Sequence, residues 1–196
     1  MPDDETLRFY AENAATYAAR SSKRPPPQLI AFLDKLPPGA RILELGTGGG
    51  QDARFMLDRG FDVVPTDGSA ELASEAEKLL ARPVRVMLFE TLNNEAAFDG
   101  VYANASLLHA KRAALTGILS RIHRALVPGG RFWATYKAGD AEGHDSFGRY
   151  YNYLDETTLR RHYADAAPWR SVDITNWDGS GYDKLPTKWL GVMSRK

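Results

Sequence analysis

Residues 41–50 read Arg41-Ile42-Leu43-Glu44-Leu45-Gly46-Thr47-Gly48-Gly49-Gly50, and Gln51-Asp52-Ala53-Arg54-Phe55-Met56 follow. A short apolar run enters a cluster of glycines, and the glycines lead into a helical pattern. Glycine lets the chain turn tightly and approach a ligand with no Cβ in the way. The helix that follows presents unpaired N–H groups and the positive end of its dipole, which suit an anion. Dinucleotide-binding turns carry G-x-G-x-x-G. Here the third glycine, Gly50, comes one residue early and Gln51 stands in its place. Glu44 also precedes the first glycine by two positions, so the turn offers an acid beside its N–H groups.

Working outward, the strand–turn–helix pattern repeats. Apolar runs at Arg41–Leu45, Asp62–Thr66, Val84–Leu88, Gly100–Asn104 and Arg131–Tyr136 predict five strands. Continuous apolar runs of this kind suit parallel strands covered on both faces. Helices are expected at Gln51–Arg59, Ala70–Leu80 and Lys111–Val127. In the last, Leu115, Ile118, Leu119, Ile122 and Leu126 form one stripe, stopped by Pro128-Gly129-Gly130. Pro65 is expected at the C-terminal end of its strand, where pairing runs out. Beyond a helix at Glu156–Ala166, capped by Asp155, runs at Arg170–Asn176 and Leu190–Ser194 predict two more strands with no helix between, the last antiparallel. Upstream, residues 5–19 predict one helix, residues 20–27 a polar break, and residues 28–36 a second helix. The expected fold is α/β: a doubly wound, mostly parallel seven-stranded sheet with helices on both faces. One domain over residues 1–196 is expected, with residues 1–36 a flank or a lid on a core at 37–196.

Composition narrows the function. Lys+Arg and Asp+Glu are both 25, so no basic surplus for gripping nucleic acid exists. The chain has no cysteine, which removes disulfides, thiolate metal sites and a cysteine nucleophile. No metal site is expected. No long apolar run predicts a membrane span, and the acidic N-terminus is unlike a signal peptide, so a cytoplasmic location is expected.

Asp67 ends the second strand, where an acid can accept both hydroxyls of a ribose. Dinucleotides and S-adenosylmethionine share that need. The carboxylate and ammonium of the methionine end would use Glu44 and the early glycine better than a pyrophosphate would. At this point the chain resembles the class I (Rossmann-like) S-adenosylmethionine-dependent methyltransferases over about residues 40–136. Glu44–Gly50 is similar to their first motif, and Asp67-Gly68-Ser69 to their ribose-binding acid and turn. Phe89-Glu90 falls where the family places the adenine. Phe98–Ala105 resembles the fourth strand, and Leu126–Gly130 the turn before the fifth. Ala105-Ser106-Leu107-Leu108-His109 and Gly148-Arg149-Tyr150-Tyr151 look like a bacterial group of small enzymes similar to tellurite-resistance methyltransferases.

The resemblance implies S-adenosyl-L-methionine as cofactor. It is expected on Glu44, Gly46, Thr47, Gly48, Gly50, Asp52, Asp67, Gly68, Ser69, Phe89, Glu90, Asn104 and Ala105, with Tyr17 closing over it. His109 follows the fourth strand and is the candidate general base. Tyr10, His109, Lys137, Arg149 and Tyr150 are candidates for the acceptor side. Structural readings stand beside these: Glu44 as a strand-end acid, Asp52 as a first-turn acid, Glu90 as a loop residue, His109 as a core histidine, and Tyr10 and Tyr17 as packing on a helix face. Trp177 and Trp189 are read as packing residues. Base-modifying methyltransferases typically show Asn/Asp-Pro-Pro-Tyr/Phe after strand four. This chain has Asn104-Ala105-Ser106-Leu107, so a small-molecule acceptor is expected, with no nucleic acid or membrane partner, in a monomer or homodimer. Rival readings are a nicotinamide-dependent oxidoreductase, an aminopropyl transferase and a non-catalytic cofactor-binding module.

Overall fold

The computed structural model describes residues 3–20 and 24–196. Its centre is a sheet of seven strands: β1 (Arg41–Leu45), β2 (Asp62–Asp67), β3 (Arg85–Val86), β4 (Phe98–Ala103), β5 (Leu126–Lys137), β8 (Ser171–Ser180) and β9 (Pro186–Arg195), in the order β3-β2-β1-β4-β5-β9-β8. Strands β1 to β5 pair in parallel, and β9 runs antiparallel between β5 and β8. The order reverses between β1 and β4. That reversal opens a crevice at their C-terminal ends, where ligands of open α/β sheets bind.

Alternation along the strands divides the core. Ile42, Tyr102 and Trp133 face α3 (Pro27–Leu33), α4 (Gln51–Asp58) and α5 (Ala70–Leu80), meeting Phe32, Met56 and Ala76. Leu43, Val101 and Phe132 face the other way, toward α6 (Arg112–Ala125) and α7 (Glu156–Ala166). Leu115, Ile118, Leu119 and Ile122 on α6 are all buried, as the stripe predicts. Helix α5 is capped by the Ser69 hydroxyl on Leu72 N–H, and α7 by Asp155 on Thr158 N–H.

Several boundaries differ from the expectation. Residues 5–19 form two helices, α1 (Asp4–Glu12) and α2 (Ala14–Arg20). At the break, the Asn13 side chain bonds back to Phe9 O and its backbone leaves helical geometry. The polar break at 20–27 falls partly outside the described residues. Leu126 belongs to β5 and pairs with Phe98, so the Pro128–Gly130 turn is an irregularity inside a paired strand. The third strand shrinks to two exposed residues, followed by a single 3-10 turn at Phe89–Thr91. Pro65 lies within the pairing with β1, opposite Glu44. It is tolerated because Thr66 O serves the β1 side and Asp67 O serves β3. By alternation the missing N–H of Pro65 points toward β3, whose pairing begins only at Thr66. A small hairpin, β6 (Glu142–His144) with β7 (Tyr150–Asn152), had no counterpart in the sequence reading. Among the described residues, no helix is long and apolar enough to cross a membrane.

Candidate functional site

The glycine turn leaves β1 with Gly46, Gly48 and Gly50 all at positive φ. At Gly46 any side chain is excluded: a Cβ would stand 2.5 Å from Ser106 Cβ. Gly50 serves packing instead, because a Cβ there would press on Ala76 and Leu80 of α5. The turn is pinned from β2. Asp67 accepts from Gly48 N–H and Ser69 N–H, both at 2.9 Å. Burial pushes the Asp67 carboxyl up to about 6 even so.

Beneath the turn lies Glu44, 3% exposed, holding the Thr47 hydroxyl. Burial first, then the charge of Asp52, push the Glu44 carboxyl up to about 8. Asp52 on α4 accepts from the Tyr102 hydroxyl at 3.1 Å and from Asn104 Nδ2 at 3.4 Å. The other end of the Asn104 amide accepts from Thr135 Oγ1 at 3.0 Å, which fixes its orientation. Thr135 also takes Ala105 N–H at 2.7 Å. That bond holds Ala105 at φ 50, a conformation costly for a side-chain-bearing residue.

Two chambers meet at this point. The outer one is a cleft of about 770 Å³, partly open to solvent, lined by Gly46, Gly48, Asp67, Gly68 and Ser69 on one side. Met87, Leu88, Phe89 and Glu90 line its far end, and Asn104 and Ala105 its floor. The inner one, about 640 Å³, is lined by Lys137, Arg149, Tyr151, Tyr182 and Trp189. Tyr10, Tyr17, Ala105 and His109 line both and form the wall between them. Helices α1 and α2 roof the pair. Tyr17 lies over Gly48, where a Cβ would meet its ring at 3.3 Å, and Gln51 bonds Ala18 O. Thr6 Oγ1 accepts from Tyr150 N–H at 2.7 Å, tying α1 to β7.

His109 is held at both ring nitrogens. Nδ1 lies 2.6 Å from Tyr150 O, and a carbonyl only accepts, so Nδ1 carries the proton. Nε2 therefore accepts the Tyr10 hydroxyl, 2.9 Å away. Burial, reinforced by Arg149 and Lys137, pulls the imidazole down to about 4 and keeps it neutral.

The expected residues divide by position. Gly46, Gly48, Asp67, Gly68, Ser69, Phe89, Glu90, Asn104, Ala105 and Tyr17 border the outer chamber, while Glu44, Thr47, Gly50 and Asp52 lie in its supporting layer. Tyr10, His109, Lys137 and Arg149 border the inner chamber. Tyr150 turns its hydroxyl away, to Glu142 and Arg112 N–H, and its neighbour Tyr151 faces the cavity instead. Trp177, half-buried, packs against the core, as expected, but Trp189 also lines the inner chamber. Tyr151, Tyr182 and Thr135 were not anticipated. The signal for Tyr151 was its place in the Gly148–Tyr151 stretch. Tyr182 sits on a hairpin tip with no local pattern to mark it.

A family model described as a methyltransferase domain matches residues 11–171. An uncharacterized methyltransferase of Synechocystis sp. is 35% identical over 97 residues, covering 48% of this chain and 46% of that protein. A protein-L-isoaspartate O-methyltransferase of Gloeobacter violaceus is 31% identical over 90 residues, covering 41% and 44%. The match thus spans somewhat under half the length of these curated relatives. Among solved structures, the 1,6-didemethyltoxoflavin-N1-methyltransferase of Burkholderia thailandensis, with 1,6-didemethyltoxoflavin and S-adenosylhomocysteine bound, superposes with TM-score 0.77 at 22% identity over 98% of this chain and 87% of that one. A Haemonchus contortus phosphoethanolamine N-methyltransferase with phosphomonomethylethanolamine and S-adenosylhomocysteine gives 0.77 at 17% identity, over 99% and 59%. At these identities the likeness is one of fold.

Proposed function

This chain belongs to the methyltransferase-domain family and is an S-adenosylmethionine-dependent enzyme, and from that premise we propose that it methylates a small molecule held in the inner chamber. The observation that carries the proposal is the shared wall: one cleft suited to the cofactor and a second pocket, partly open to solvent, touch only across Tyr10, Tyr17, Ala105 and His109.

The residues of the outer chamber suit S-adenosylmethionine. An ionised carboxylate has about four acceptor positions. Asp67 spends two on backbone N–H groups and keeps two for the ribose hydroxyls. Gly46 and Gly48 bring bare backbone to the amino-acid end, with Glu44 and Asp52 behind as counter-charges for its ammonium. Met87, Leu88 and Phe89 offer apolar surface to the adenine, and Glu90 an acceptor for its amino group. Bound there, the cofactor supplies a methyl group activated by sulfonium.

The chain's part is to align, to exclude water and to handle a proton. Ala105, fixed through Thr135, shapes the opening in the wall. Tyr10 and Tyr17 close it from above, so the N-terminal helices act as its roof. His109 serves as the proton acceptor: a proton leaving the methylated atom reaches the Tyr10 oxygen while the Tyr10 proton moves to Nε2. A pocket lined by these aromatic and basic side chains suits a metabolite-sized acceptor.

Calorimetric titration of the purified protein tests the premise, and a methyl-transfer assay on small acceptors and nucleic acid tests the proposal. Micromolar binding of S-adenosylmethionine and S-adenosylhomocysteine, without NADH binding, is expected. Methylation of nucleic acid with no turnover of small acceptors would overturn the choice of acceptor.

A further inference from the structure

The inner chamber carries an unusual charge. Lys137, at the end of β5, is only 4% exposed. Its ammonium has no hydrogen bond or ion pair among the described residues, and it rests on the face of Tyr151, 4.1 Å from the ring centre. Asp183, on the hairpin tip, acts on it through space but does not pair with it. The side chain is packed away from solvent while its ammonium opens into the cavity, where it is free to meet an acceptor on a bound molecule.

The other buried cation is already answered. Arg149, 1% exposed at its side chain, donates Nε and Nη2 to Asp145 Oδ2 at 3.0 and 2.6 Å. Phe9, Phe147, Tyr151 and Tyr182 surround its guanidinium at 4.9–5.4 Å. Arg20, at the mouth, bonds the Tyr182 hydroxyl. No aspartate or glutamate lines the chamber among the described residues. The remaining walls are largely aromatic, with Leu108, Ser180 and Gly181 among them. Tyr17 and Tyr182 stack at 5.7 Å and 20°, and Tyr151 packs on His109 at 4.6 Å. A cavity walled largely by rings, with one ammonium that has no ion-pair partner and no carboxylate in its lining, suits a planar anion.

Resting on the methyltransferase reading above, we propose that the acceptor is a small aromatic acid, its carboxylate bound to Lys137 and its nucleophilic N–H or O–H turned to the wall at His109. The nucleophile's lone pair forms the new bond to the methyl carbon. The carbon–sulfur bond breaks with its electron pair left on sulfur, and the N–H or O–H proton passes to the Tyr10–His109 pair. An acid fits this proton path for a second reason. Lys137 and Arg149 both oppose charge on the imidazole, and an entering carboxylate offsets them.

The test is calorimetry on protein saturated with S-adenosylhomocysteine, using matched probes: 4-hydroxybenzoate against 4-hydroxybenzamide, and 4-aminobenzoate against 4-aminobenzamide. Each acid is expected to bind about tenfold or more tightly than its amide, since a charged hydrogen-bond partner is lost. Lys137→Met should abolish that preference, Lys137→Arg should retain it, and both should bind S-adenosylhomocysteine as the wild type does. Equal binding of acid and amide, a preference surviving in Lys137→Met, or no binding of either acid at millimolar concentration would overturn the proposal. Failure to bind S-adenosylhomocysteine would instead strike at the methyltransferase reading, so the two failures are distinct.

Discussion

Replacing Asp67 by alanine separates what this carboxylate does for the fold from what it does for the ligand. In the free protein it accepts two backbone N–H groups. Hydrogen bonds to a charged partner contribute about 1.5–3 kcal/mol each. Burial outweighs them: with those bonds in place the carboxyl still rises to about 6, a net of roughly 3 kcal/mol against its charged form. The two effects oppose each other, and both freed N–H groups border a cleft that water can enter. Asp67→Ala should therefore cost at most about 2 kcal/mol of stability. The ligand loses more, because the ribose hydroxyls have no substitute acceptor there. A loss of about 2–4 kcal/mol, or roughly 30- to 1,000-fold in affinity for S-adenosylhomocysteine, is expected. Asp67→Asn, which keeps one oxygen, should fall between. Urea unfolding of the free protein and calorimetric titration measure the two quantities separately. A folded Asp67→Ala protein that binds S-adenosylhomocysteine within about threefold of wild type would refute the assignment of the ribose to this residue.

Two further outcomes follow from the same turn. Gly46→Ala should cost about 2–4 kcal/mol, from positive φ and the clash with Ser106. Gly60→Ala, at φ +83 with open space around it, should cost only about 1–2 kcal/mol; equal urea midpoints for the pair would contradict the close approach. Because Glu44 is pushed up to about 8, the folded protein binds a proton there that the unfolded chain gives up near pH 4.3. Stability of the free protein should accordingly fall as pH rises from about 5 to 8, and Glu44→Gln should flatten that fall. The ammonium of the ligand favours the charged carboxylate, so binding at pH 7 should release protons, seen as a dependence of the binding heat on buffer ionisation enthalpy. Proton uptake on binding would reverse the assigned sign.

Much of this fold is decided by local rules, and those rules are legible. Ile42 and Leu43 must face opposite sides of a strand, and they enter two different cores. Leu115, Ile118, Leu119 and Ile122 share one helix face wherever that helix goes. Gly46 and Gly48 announce a tight turn at positive φ, closed to any side chain at Gly46, and an acid at the end of β2 stands beside it in any parallel pairing. Boundaries were less legible, because Leu126 and Pro65 satisfy their propensities in more than one register, and pairing with Phe98 and Glu44 settles them.

What only the tertiary structure decided is which distant side chains converge. Tyr10 meets His109 across 99 positions, and nothing local to either predicts the other. Tyr151, Tyr182 and Trp189 surround one cavity because a small hairpin and the tip of β8–β9 fold toward β5. Lys137 looks like any strand-end lysine in sequence. Its want of a partner is a property of what packs around it. Sequence period and turn chemistry act over a few residues, so by themselves they determined most of the sheet, its helices and the glycine turn. The inner chamber is made of contacts between elements, and its charge balance came into being only when those elements closed.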